Sequence, residues 1–171
     1  MRILFVLEHY YPYTGGVEML FKSLAEELVK QGHEATVVTT RHSKEVPKRE
    51  TINGVNVRRV NVFNRYLFTF FSLPAIWKAA RKCDVIHTTS YNAAPPAWLA
   101  AFLLGKKSII TFHEVWGKLW FRLPYIPLPI RWGYFIYEQL VLKLPFKKFI
   151  AVSEFTRQAL LDSGKHPERV V

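Results

Sequence analysis

The chain opens on an unbroken apolar run, Ile3 to Leu7, and then changes rhythm. Val17, Leu20, Phe21, Leu24 and Leu28 recur at helical spacing, with Glu18, Lys22, Glu26, Glu27 and Lys30 between them. The first pattern predicts a strand buried on both faces of a parallel sheet, over Arg2 to Leu7. The second predicts an amphipathic helix from about Val17 to Gln31, whose Glu26 falls on the solvated side. Gly32 is placed to end that helix in the left-handed conformation.

The alternation then repeats. Ala35 to Thr40 reads as a second strand and the polar stretch Lys44 to Glu50 as a loop. Ile52-Asn53-Gly54-Val55 carries a hairpin turn leading into a strand over Val55 to Val62. Phe63 to Arg81 is aromatic, basic and partly helical. Asp84 to Thr88 is a strand, Ala93 to Leu104 a helix and Lys107 to Phe112 a strand. Trp116 to Pro129 reads as a proline-broken loop, Ile130 to Leu144 as a helix, Phe149 to Val152 as a strand and Glu154 to Ser163 as a helix. Arg169-Val170-Val171 has the look of another strand beginning. Strands in continuous apolar runs, alternating with helices, predict a Rossmann-like α/β domain: an open parallel sheet with helices on both faces.

Composition narrows this picture. The 171 residues fit one domain, and half of them are apolar, enough to bury a core. A single cysteine, Cys83, excludes an internal disulfide framework and suits a reducing compartment. The apolar run after Met1-Arg2 is too short for a secretory signal, and Ala93 to Leu104 is broken by Pro95-Pro96, so the expectation is a soluble or peripheral, cytoplasmic protein. The net charge of +11 attracts phosphate in some form, whether nucleotide, anionic lipid or nucleic acid.

Candidate chemistry clusters at the ends of the predicted strands, where open α/β sheets bind ligands. Gly15-Gly16 opens the first helix, and a phosphate there would meet free backbone N–H groups and the positive end of the dipole; a plain helix cap is the alternative. Neither G-x-G-x-x-G nor a P-loop is present. His87 and His113 each close a strand on the same rim, positions from which an imidazole can reach a sugar hydroxyl or a phosphate, and Glu114 follows the second. The histidines show no metal-ligand spacing, so no metal site is expected. Ser153 is placed as an N-cap, Cys83 as packing, and the E-x7-E spacing of Glu18 and Glu26 reads as coincidence.

Two tracts mix large rings with cations: Phe63 to Phe71 continuing to Trp77 and Arg81-Lys82, and Trp116 to Arg122 continuing to Arg131-Trp132. Such tracts suit the surface of an anionic membrane, with Arg65, Phe68, Phe71, Trp77, Trp116, Trp120 and Arg122 as the expected contacts. Core packing is the alternative for many of the rings. Single-stranded nucleic acid uses the same ingredients, but no nucleic-acid module pattern is present, and nucleic acid is not expected as a partner.

Taken in order, Tyr11-Pro12 through Gly15-Gly16-Val17-Glu18, Asp84-Val85-Ile86-His87, Thr111-Phe112-His113 and Val152-Ser153-Glu154 resemble the N-terminal domain of glycosyltransferase family 4, over essentially the whole chain. The resemblance implies one half of a GT-B fold, residues 1–171 being the acceptor-side domain and a separate C-terminal domain holding most of the nucleotide-sugar site. It implies a metal-independent transferase, mostly retaining, with a nucleotide sugar as substrate and no cofactor. Gly15 and Gly16 would hold the donor diphosphate and His113 the reacting centre. Tyr11, His87, Glu114 and Lys118 would face the acceptor, a lipid-linked or polysaccharide hydroxyl at the inner face of the cell membrane. Tyr13 and the aromatic 116–132 loop depart from the family pattern. A non-catalytic module that recruits a separate donor-binding subunit to the membrane is the competing reading, and a nucleic-acid-binding protein a more distant one.

Overall fold

A computed structural model describes residues 1–171 as seven strands and six α-helices. The strands are β1 (Arg2–Val6), β2 (Glu34–Thr40), β3 (Arg49–Ile52), β4 (Val55–Val60), β5 (Val85–Thr89), β6 (Lys107–Phe112) and β7 (Lys148–Ala151). The helices are α1 (Gly16–Lys30), α2 (Phe68–Phe71), α3 (Leu73–Ala80), α4 (Ala94–Leu103), α5 (Leu128–Lys143) and α6 (Glu154–Asp162). They form one sheet in the order β3-β4-β2-β1-β5-β6-β7, parallel except for the β3–β4 pair. No helix is long and apolar enough to cross a membrane.

The apolar run of β1 is explained by burial on both faces. Ile3, Phe5 and Leu7 pack with Phe21 and Ala25 of α1, while Leu4 and Val6 pack on the opposite face with Ile76 and Ala79 of α3 and Ala97 of α4. Each fully buried ring or branched side chain contributes on the order of 1.5–3 kcal/mol. A third cluster joins Ile110 and Phe112 of β6 to Phe149, Val141, Leu142 and Leu160, and so fastens α5 and α6 to the sheet.

Local signals fall where the sequence puts them. Gly32 has φ +82°, and Asn53 and Gly54 have φ +48° and +84°, the two left-handed positions of a tight hairpin turn. That hairpin extends the predicted loop into a real edge strand, β3. A Cβ at Gly54 would strike Val29, so the turn sits hard against α1. Glu26 is not solvated as expected: it pairs with Lys22 at 2.7 Å and accepts from Asn53 Nδ2 at 2.9 Å, tying helix to hairpin. Ser153 caps α6, accepting from the Thr156 amide at 3.2 Å.

The 116–129 region is less of a loop than predicted. Gly117–Arg122 forms a 3₁₀ turn, and α5 starts at Leu128 with Pro129 in its first turn, where the missing N–H costs nothing. After β7 the chain returns alongside it: the Ala151 amide donates to Val171 O at 2.8 Å and the Val171 amide to Phe149 O at 2.9 Å.

Candidate functional site

The carboxyl ends of β1, β5 and β6 converge with the start of α1 on one cleft of about 200 Å³, lined by Glu8, His9, Val17, Glu18, Arg65, Thr89, Ser90, Tyr91, His113 and Glu114. A second pocket of about 280 Å³ shares Arg65, Tyr91 and Glu114 with it and continues into Tyr66, Asn92, Trp120, Tyr134 and Tyr137. The two therefore form a bipartite site, polar near His113 and aromatic beyond Tyr91.

His113 directly follows β6. Its carbonyl accepts from Thr156 Oγ1 at 3.2 Å, which holds the end of the strand against the first turn of α6. The imidazole is half-buried and its Nε2 makes no hydrogen bond within the chain. Burial pushes its pKa below the usual histidine value, with Glu114 and Glu18 pulling it back up, so the ring is set to be neutral at neutral pH. Such an imidazole can accept or donate one hydrogen bond towards the cleft.

Gly15 is the N-cap of α1 with an extended backbone, and its carbonyl accepts from the Met19 amide at 3.0 Å. A Cβ at Gly15 would collide with the Glu18 carboxylate, which folds back over the helix start, while one at Gly16 would meet open space. The Glu18 carboxylate thus covers the Gly15 side of the helix start, and the Gly16 side is left open. The preceding loop is pinned from beneath: buried Arg59 of β4 donates to the carbonyls of Tyr11 at 2.7 Å and Pro47 at 3.0 Å and pairs with Glu50. The Tyr11 ring is exposed and receives Lys22 Nζ at 5.3 Å from its centroid.

Two residues that the sequence offered as contacts are elsewhere. His87 lies inside β5, which runs on to Thr89, and in register opposite Phe5. It is only 7% exposed, wedged between Phe5 and Phe21 with Nε2 bonded to Thr111 Oγ1 at 2.8 Å. The correction is that His87 belongs to the core beneath α1 and does not reach an acceptor. Phe68 is likewise wholly buried, in the cluster under α3 and α4, and cannot touch a membrane. Arg65, Phe71 and Arg122 are exposed. Trp77 is half-buried beneath the Arg81 guanidinium, 5.6 Å away. Trp116 and Trp120 stack at 5.1 Å, and Trp120 lies 5.1 Å from Tyr134, so these rings mainly fasten the 3₁₀ turn to α5. Lys118 is exposed on that turn.

The structure adds residues the sequence did not single out. Glu8 pairs with Arg65 at 3.1 Å and accepts from the Asn92 amide at 3.0 Å, joining the ends of β1 and β5 across the cleft floor. Tyr91 sits at φ +68°, a rare state for a bulky residue that presents its ring to both pockets. Glu138 of α5 is buried and accepts from the amides of Trp116 at 2.8 Å and Gly117 at 2.6 Å and from Tyr91 Oη at 3.4 Å. It is the anchor of the loop that carries Glu114 and Lys118.

The mostly parallel Rossmann-like sheet, with a glycine turn at its first helix, has the fold of one half of the GT-B glycosyltransferases that it matches. HepE of Anabaena, whose crystal structure holds UDP-glucose, has the same fold, with a TM-score of 0.68 at 15% identity over 100% of this chain and 43% of that one. The family model for glycosyltransferase family 4 matches residues 14–171, and the chain belongs to that family. Its relatives include an uncharacterized glycosyltransferase of Methanocaldococcus jannaschii, 33% identical over 93 residues that make up 54% of this chain and 23% of the relative. The GPI3 subunit of a phosphatidylinositol N-acetylglucosaminyltransferase of Saccharomyces cerevisiae is 23% identical over 127 residues, 68% of this chain and 28% of the relative. The chain thus corresponds to less than half the length of these proteins.

Proposed function

We propose that this chain is the acceptor-side half of a nucleotide-sugar-dependent glycosyltransferase that passes a hexose, with retention, to a lipid-linked acceptor at the inner face of the cell membrane. The observation that carries the reading is the bipartite site. A polar cleft holding His113 and the start of α1 opens directly into an aromatic pocket of a size for a sugar or polyol ring. The UDP-glucose of HepE supports a nucleotide sugar as donor, and the phosphatidylinositol in the name of the yeast relative supports a lipid acceptor.

In this reading Gly15 and Gly16 offer N–H groups to the donor diphosphate as the bond from the anomeric carbon to the phosphate oxygen breaks. The acceptor hydroxyl forms the new bond on the same face and its proton passes to the leaving phosphate. His113 bonds the transferred sugar beside the reacting carbon. Glu114, Tyr11 and Lys118 orient the acceptor, with Tyr91 and Tyr134 as ring platforms in the aromatic pocket. A C-terminal domain supplies the nucleotide site and, with it, the proximity from which much of the rate arises.

The test joins this chain to a C-terminal domain, in one polypeptide or as separate subunits, and supplies UDP-, GDP- and ADP-sugars with lipid extract. Release of one nucleotide, a lipid product heavier by one hexose and a large loss in His113→Ala support the reading. A folded protein that turns over no donor moves the recruiting module ahead of it.

A further inference from the structure

Helix α5 is apolar on the side turned away from the protein. Glu138, Val141 and Leu142 are buried against the fold, whereas Pro129, Trp132, Gly133, Ile136 and Leu140 are exposed, Trp132, Ile136 and Leu140 at 50%, 52% and 57%. Helical spacing of three and four residues places these five on one outward stripe, roughly 17 Å long at about 1.5 Å per residue, and the first charge on it is Lys143. A solvated helix carries polar residues on this face. The stripe continues sideways: Trp132 packs edge-to-face on Phe121 at 4.7 Å, Arg122 follows exposed, and Leu128, Tyr125 and Ile130 flank it, 56%, 76% and 46% exposed.

Charge decides what covers this face. From Val115 to Ser153 the chain carries six Lys and Arg residues and a single acid, Glu138, which is buried. Over residues 51–153 there are fourteen Lys and Arg against three acids, and the other two are Asp84, paired with Arg2, and Glu114 in the cleft. The stripe is therefore apolar, with Arg122 and Lys143 exposed beside it, Lys118 exposed on the adjoining turn, and no exposed carboxylate between Val115 and Ser153, which a membrane of anionic phospholipid complements.

The geometry points to α5 as an in-plane membrane helix, with Trp132, Ile136 and Leu140 entering the acyl boundary of an anionic leaflet and Lys143, Arg122 and Lys118 meeting its phosphates. A second copy pairing through the stripe would leave those cations facing one another, so the bilayer is the better fit. The inference extends the membrane acceptor of the proposed function, and its test contains no sugar donor, so either can fail without the other.

Sedimentation of the purified protein with vesicles of phosphatidylcholine, alone or mixed with phosphatidylglycerol, tests it. Binding is expected to the anionic vesicles, weakened by salt, and to fall roughly tenfold or more in an Ile136→Ser/Leu140→Ser variant. Leu20→Ser, an exposed position on α1, is expected to leave binding unchanged. Quenching by brominated phospholipid that disappears in Trp132→Phe places the stripe in the bilayer while keeping an aromatic ring against Phe121. Unchanged thermal unfolding confirms that the double variant is folded. Failure of the wild-type protein to bind anionic vesicles, or equal binding by the double variant, overturns the proposal. So does a dimer in size-exclusion that the double variant splits while vesicles stay empty, which would assign the stripe to a second copy.

Discussion

Glu138 Oε2 accepts a hydrogen bond of 2.6 Å from the Gly117 amide, while its other oxygen takes the Trp116 amide at 2.8 Å. One buried side chain of α5 thus terminates the loop that begins at His113. Glu138→Ala strands both amides and the Tyr91 hydroxyl, and is expected to cost about 2–3 kcal/mol, read as a lower denaturant midpoint. Glu138→Gln keeps an acceptor and is expected to recover part of that loss. For the proposed transfer reaction, the predicted signature is a raised KM for acceptor with donor KM unchanged.

The proposed role of His113 carries a pH signature. Its pKa lies below the ordinary histidine value because the ring is half-buried. Transfer is therefore expected to be level through neutral pH and to decline only on the acid side of about 6.5, as the imidazole takes a proton. His113→Ala is expected to lower kcat by about a hundredfold or more. A pH profile of kcat/KM checks both, and an acid limb at neutral pH would contradict the neutral-imidazole role.

His87 makes a separate prediction about stability. Burial pushes it down to about 4, against about 6.5 in the unfolded chain. Between those values the unfolded chain holds a proton that the folded one refuses. Stability is thus fully present above about pH 6.5 and is lost as pH falls towards 4, by about 3 kcal/mol in total. Urea midpoints near neutrality and near pH 5 measure the effect. His87→Gln, which retains a partner for Thr111, is expected to flatten it.

Arg59 predicts a loss confined to one edge of the cleft. Its removal as Arg59→Met unpairs Glu50 and releases the carbonyls of Tyr11 and Pro47. About 2 kcal/mol of destabilisation is expected, with faster amide exchange across residues 9–16 than elsewhere.

What could be read before folding was whatever is decided locally. The Asn53-Gly54 turn, the Gly32 terminator and the Ser153 cap each depend on a few neighbouring residues, and each was legible. His87 was not, because a central parallel strand is covered on both faces and gives no alternation by which to tell rim from core. Phe68 failed for a related reason: in a tract where rings alternate with cations, only packing decides which ring turns inward. Glu138 left a readable trace, as the one acid between Val115 and Ser153, sharing a helical face with Val141 and Leu142. The junction of the two aromatic tracts, where Tyr66 and Tyr134 meet hydroxyl to hydroxyl at 3.3 Å, joins residues 68 positions apart that no local pattern links.

The sheet order also governs how the chain is made. β1 lies between β2 and β5, so one of its edges is closed by residue 40 and the other only by residues 85–89. At ribosomal speeds of about 5–20 residues per second, that second edge stays open for several seconds after the first has closed. Leu4 and Val6 are covered by α3 just before that edge closes and by α4 only after it, and until then nascent chains are most exposed to mispairing with one another or to capture by chaperones.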